Sequence, residues 1–186
     1  MENSDLTGRL ANLSPAKRAL LELKLSVSSS GQAARVTIPR RAECDVAPLS
    51  FAQQRLWFLS QLDPESAAYN EKSALRLDGA LNLAALSAAL KAVFERHEVL
   101  RTTYGLAEGG EPVQRIGQSA DFDLPLIDLS ETAADRRDAE VQRIAADLGE
   151  RPFDLSHELP LRLTVIRLTP SSHVLVSVRH HIASDG

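Results

Sequence analysis

The 186-residue sequence is 44% hydrophobic and 25% charged with a net charge of -4, which gives apolar material for one core and no basic surplus for nucleic-acid binding. One cysteine, Cys44, excludes an internal disulfide framework and fits a reducing compartment, and no apolar run reaches the ~18 residues of a membrane span. The start, Met1-Glu2-Asn3-Ser4-Asp5, is acidic and lacks the basic head and apolar stretch of a signal peptide, so a cytoplasmic location is expected, with neither membrane nor nucleic acid as a partner.

Residues 1–47 differ in composition from the rest. Ser14-Pro15 suits a helix start. Ala16 to Leu25 sets Leu20, Leu21, Leu23 and Leu25 among Lys17, Arg18, Glu22 and Lys24, an amphipathic helix of about three turns that is marginal on its own. Ser26 to Gln32 reads as a Ser/Gly-rich linker, and Arg35 to Cys44 is short and polar. Two readings stand for the segment: a leader or interdomain linker, and a docking element for another protein.

A compact domain is expected over residues 48–186. Ser50 with Gln53 three residues later forms a capping box, opening a helix that runs to about Leu62 and stops at Asp63-Pro64. Leu56, Trp57, Phe58 and Leu59 are expected to supply its buried surface. Tyr69 to Asp78 reads as a strand. Asn82 caps a second helix whose stripe Leu83, Leu86, Leu90, Val93 and Phe94 continues to His97, expected as a packed helix-end group. Thr102 to Leu106 and Pro112 to Ile116 flank Glu108-Gly109-Gly110-Glu111 as a hairpin, and Leu124 to Leu129 is a further short strand. Ser130 or Thr132 starts a third helix that buries Val141, Ile144, Ala145 and Leu148 and stops at Gly149. Leu161 to Val165 begins a strand expected to pair, antiparallel, with the one that follows.

That last strand, His173-Val174-Leu175-Val176-Ser177-Val178-Arg179, alternates. Val174, Val176, Val178 and His180 therefore share an apolar face, while Ser177, Arg179 and His181 point the other way. His180 is placed to be buried and hydrogen-bonded. His181 is placed to face a cleft, where an imidazole of unperturbed pKa about 6.5 suits general-base work. A second reading stays open on the residues alone, in which both rings are satisfied core or rim groups. A metal site is disfavoured, because adjacent strand residues diverge, no Cys lies near, and the spacing fits neither a zinc finger nor H-E-x-x-H.

Three stretches, in order, resemble one family. His180-His181-Ile182-Ala183-Ser184-Asp185-Gly186 resembles the H-H-x-x-x-D-G motif of condensation domains in nonribosomal peptide synthetases. Ser50, Ala52, Gln53, Arg55, Leu56, Trp57 and Leu59 match that family's first motif, S-x-A-Q-x-R-[LM]-[WY]-x-L. Arg96-His97-Glu98-Val99-Leu100-Arg101-Thr102 matches the second, R-H-E-x-L-R-T, without a departure. The resemblance covers about residues 48–186. It implies an α+β, chloramphenicol-acetyltransferase-like lobe, helices on a mostly antiparallel sheet, and hence the N-terminal lobe of a longer synthetase, inactive as 1–186 alone.

The activity implied is acyl transfer that forms a peptide bond, a carrier-bound amine attacking a carrier-bound thioester. The resemblance makes His181 the catalytic residue and His180, Asp185 and Gly186 its structural support. Arg96 becomes the expected ion-pair partner of Asp185, with Arg101 the other candidate, and Gln53 and Arg55 become first-motif support. The implied partners are upstream and downstream peptidyl carrier domains, whose phosphopantetheine carries the substrates. An upstream synthetase subunit would meet residues 1–47. No cofactor or metal is expected on this chain. Two departures bear on the site: Arg179 stands where an apolar residue is common, its charge expected to oppose an imidazolium at His181, and Ala183 stands where a larger apolar residue is frequent. The intact His pair disfavours a cyclisation domain. The alternative readings are a non-catalytic fragment or docking module, and a related acyltransferase that uses coenzyme A.

Overall fold

Local signals set most of the elements between residues 46 and 184. The computed structural model describes Arg41, residues 45–119 and residues 122–184. The chain divides into two compact units, Met1–Ala42 and Glu43–Gly186. The amphipathic helix expected over residues 16–25 lies outside the described residues, and the elements below belong to the second unit.

In chain order they are β1 (Val46–Pro48), α1 (Phe51–Leu62), β2 (Asn70–Asp78), α2 (Leu83–Arg96), a 3-10 turn (Glu98–Arg101), β3 (Thr102–Leu106), β4 (Pro112–Ile116), β5 (Leu126–Asp128), α3 (Ala134–Glu150), β6 (Leu161–Thr169), β7 (Ser172–His180) and a second 3-10 turn (His181–Ala183). One sheet has the order β2-β7-β6-β5, antiparallel except where β5 runs parallel to β6. The other, β1-β4-β3, is wholly antiparallel. The expected α+β class is what the chain adopts. The short β1 was not anticipated; it pairs Val46 with Arg115 and Pro48 with Val113.

Two helix starts follow their caps. The Ser50 hydroxyl accepts from the Gln53 N–H at 3.2 Å, and the Gln53 amide oxygen accepts from the Ser50 N–H at 3.0 Å. Asn82 accepts from the Ala85 N–H at 3.0 Å. The third helix departs from expectation. It begins at Ala134 behind Ala133, with no side-chain cap, so neither Ser130 nor Thr132 caps it. Arg137 instead reaches back to the carbonyls of Thr132 and Ser130, at 2.8 and 2.7 Å, and ties the lead-in down. Nor does Gly149 stop this helix. It lies inside the last turn, where the side chain of Lys72 occupies the space a Cβ would need, 2.9 Å away. The Asn70 amide of the neighbouring β2 donates to the Gly149 carbonyl at 2.9 Å.

The core lies on both faces of the four-stranded sheet. On one, Val174, Val176 and Val178 of β7 and Ile166 and Leu168 of β6 pack with Val141 and Ile144 of α3, Leu56 of α1, Tyr104, Phe153, Leu155 and Ile182. On the other, Leu163 and Leu175 meet Phe94 and Leu90 of α2, where the Phe94 ring stacks on Phe122 at 4.6 Å. Each fully buried aliphatic or aromatic side chain contributes roughly 1.5–3 kcal/mol. Three expected core members are not in it. Phe58 is 61% exposed, because α1 buries only Leu56 fully and turns Phe51, Phe58 and Leu62 outward. His97 is the exposed C-cap of α2, its N–H on the Val93 carbonyl, and Val93 beside it is also exposed.

Candidate active site

β7 delivers the two histidines into different surroundings. His180 ends the buried face, 5% exposed, with its N–H on the Pro160 carbonyl and its ring edge-on to Phe153 at 6.0 Å. Its Nδ1 accepts the Ile182 N–H at 3.1 Å, so the proton of the neutral ring sits on Nε2. Burial, and next the neighbouring His181, push its pKa down from 6.5 to about 4. His180 thus braces the turn after the strand and stays uncharged.

His181 opens that turn on the other side, half-buried at 36% side-chain exposure. Its backbone N–H is held by the Tyr69 carbonyl at 2.9 Å. Its Nδ1 lies 2.6 Å from Oε1 of Glu71, and among the described residues its Nε2 makes no hydrogen bond. Glu71 stands directly across the β2–β7 ladder from Arg179. Its second oxygen, Oε2, takes the Arg179 Nε at 2.5 Å and the Ser184 hydroxyl at 3.2 Å. Arg179 above all holds the Glu71 carboxyl below the usual carboxylate range; burial, the next largest effect, opposes it, and the His181 ring and Ser184 add to the lowering. The expectation for Arg179 is corrected here: its charge is met by Glu71, so it buttresses the carboxylate beside His181 and does not face the imidazole unscreened.

Gln53 meets this turn from α1. While its oxygen caps the helix, its amide nitrogen reaches the Ile182 carbonyl and Gln114, each at 3.4 Å. One residue thereby ties the helix start to the histidine turn. Arg55 is exposed and among the described residues has no hydrogen bond or ion pair. Arg101 is turned toward the other sheet. It donates to the Gly117 carbonyl and lies 3.8 Å from Glu98. It also lines an open cavity of about 800 Å³ with Arg115, Phe122, Leu161 and Leu163, whose walls include neither histidine. Arg96 is exposed at the end of α2 and without an ion pair among the described residues. Asp185 and Gly186, and hence the expected Arg96–Asp185 pair, lie outside the described residues.

Sequence reading missed Glu71. The one available signal was its position near the start of the strand that precedes α2, and nothing local says which strand β2 will pair with. Among the described residues no three His, Cys, Asp or Glu side chains converge as a metal-ligand set, and no helix is long and apolar enough to cross a membrane.

The family model described as the Condensation domain matches residues 43–186. The phosphinothricin tripeptide synthetase PhsC of Streptomyces viridochromogenes is 42% identical over 183 residues, 98% of this chain and 17% of its own length. The chondramide synthase cmdD of Chondromyces crocatus is 46% identical over 142 residues, 76% of this chain and 4% of that protein. Among solved structures, the starter condensation domain of rhizomide synthetase RzmA superposes with a TM-score of 0.68 at 27% identity, covering 77% of this chain and 35% of that one. The chain thus spans a small part of the curated relatives it matches.

Proposed function

This chain belongs to the condensation-domain family of nonribosomal peptide synthetases, and from that membership we propose that it supplies the histidine half of a peptide-bond-forming site acting on carrier-bound substrates. The observation that carries the proposal is the mounting of His181, with Nδ1 engaged by Glu71, the backbone fixed by Tyr69 and Nε2 left to a reactant. A ring held this way has one role open to it, at Nε2. The amine nitrogen attacks the thioester carbonyl, the new C–N bond forms, the C–S bond breaks, and the amine proton passes by way of His181 toward the departing thiolate. The ring acts by taking that proton or by fixing the line of attack, contributions worth roughly 10²–10⁴-fold for proton transfer and as much or more for orientation.

In this reading His180, Gln53 and the residues after Ser184 keep the turn in shape, and Arg96 is the arginine available to Asp185. Donor and acceptor arrive on upstream and downstream carrier domains in the cytoplasm, and the chain itself needs no bound cofactor. Of residues 1–47, those from 43 on fall within the family match; the ones before it serve as a leader or interdomain linker, with docking to an upstream synthetase as their further role.

The test is single-turnover peptide-bond formation with both substrates loaded on carrier proteins, using the synthetase that contains this chain. His181→Ala is expected to lower the rate by at least about 10²-fold with an unchanged melting curve. A rate close to the parent would reject the reading. Turnover of a coenzyme A thioester in place of the loaded carrier would favour the acyltransferase alternative.

A further inference from the structure

Glu71 lies on an edge strand more than a hundred residues before the histidine motif, yet Arg179, His181 and Ser184 all converge on its carboxylate. An ionised carboxylate only accepts hydrogen bonds. Arg179 and Ser184 both donate to Oε2, and Arg179 keeps the group charged. Oε1 is then an acceptor 2.6 Å from the ring, and Nδ1 must carry the proton. In a neutral imidazole that leaves the lone pair on Nε2. Tyr69, just ahead of β2 and two residues before Glu71, accepts the His181 backbone N–H, so one short segment holds both the backbone and the ring of His181.

We propose that Glu71 is the positioning residue of this site, mounting His181 in the Nδ1–H tautomer with Nε2 directed to the reactant, and that Arg179 and Ser184 hold Glu71 in place to do so. Glu71 touches no substrate; it acts through the ring. The part of this concerning turnover rests on the reading of His181 given above, whereas the tautomer does not.

The first measurement is the long-range proton–nitrogen spectrum of the ¹⁵N-labelled chain, recorded at a pH where both rings are neutral. His181 is expected as Nδ1–H and His180 as Nε2–H, opposite forms in adjacent residues. In Glu71→Ala, His181 should pass to the Nε2–H form that an unconstrained imidazole prefers, with His180 unmoved. Finding His181 as Nε2–H in the unmutated chain would overturn the proposal. In the synthetase, Glu71→Gln should lower kcat roughly 10–100-fold with KM for the loaded carriers unchanged, the size seen for groups that orient a reactive ligand. Glu71→Asp should restore part of the loss. A kcat within about twofold of the parent for both Gln and Ala variants would equally overturn it. Should His181→Ala itself prove silent, the functional reading falls and the spectrum alone decides the mount.

Discussion

His180 and His181 are joined by one peptide bond and occupy different media. The first belongs to the dry face of β7 with Val174, Val176 and Val178, where its ring is held by Ile182 and depressed in pKa by burial. The second belongs to a half-open strip where Glu71, Arg179 and Ser184 supply charge and hydrogen bonds. On the dry face a change should be felt as stability. On the polar strip it should be felt as reactivity, because exposed or half-exposed ion pairs contribute little to folding. A period of two along one strand is enough to separate the two duties.

Four variants test that division. Val178→Asp, placing a carboxylate at a 2% exposed position with nothing to pair it, should cost about 4 kcal/mol or more and abolish a cooperative urea transition. A mild effect there would mean the dry face is wetter than its packing. His180→Leu strands the Ile182 N–H and should cost about 1–3 kcal/mol by denaturant midpoint at neutral pH.

His180 also gives a pH signature. Its folded pKa of about 4 lies below the usual 6.5, so between those values the unfolded chain binds the extra proton. Stability should therefore fall as pH is lowered from 6.5 towards 4, at most about 1.4 kcal/mol for each unit. That slope should shrink in His180→Leu. An identical slope in parent and variant would mean the ring is protonated in the fold. On the polar strip, Arg179→Ala should shift stability by under about 1 kcal/mol, its partner being 36% exposed. Its effect should show in the rate of the synthetase, since Glu71 loses its brace. Smallest of all, Arg55→Ala should leave the midpoint within about 0.5 kcal/mol; a larger loss would show that Arg55 has a partner in the folded chain.

What could be read in advance was what depends on neighbours in sequence. The Ser50–Gln53 box, the Asn82 cap and the alternation of β7 need only three or four residues of context, and each is found. So is the burial of His180 opposite the more open His181. The misses are matters of tertiary address. Phe58 lies on an α1 surface that the described residues do not cover. Gly149 has the look of a helix stop, but it lies inside the last turn, packed beside Lys72 of β2. Glu71 acquires its meaning only from the register that sets it against Arg179. Nothing within β2 announces that register.

The same register has an entropic side. β6 and β7 are joined by a two-residue turn, so the hairpin that carries the histidine strand closes only a short loop. The mount of His181 needs β2, whose contact with it closes a loop of 110 residues. Closing so long a loop carries a larger entropic cost than closing the hairpin. The mount proposed for His181 is thus tied to completion of the sheet, and not to the histidine strand alone.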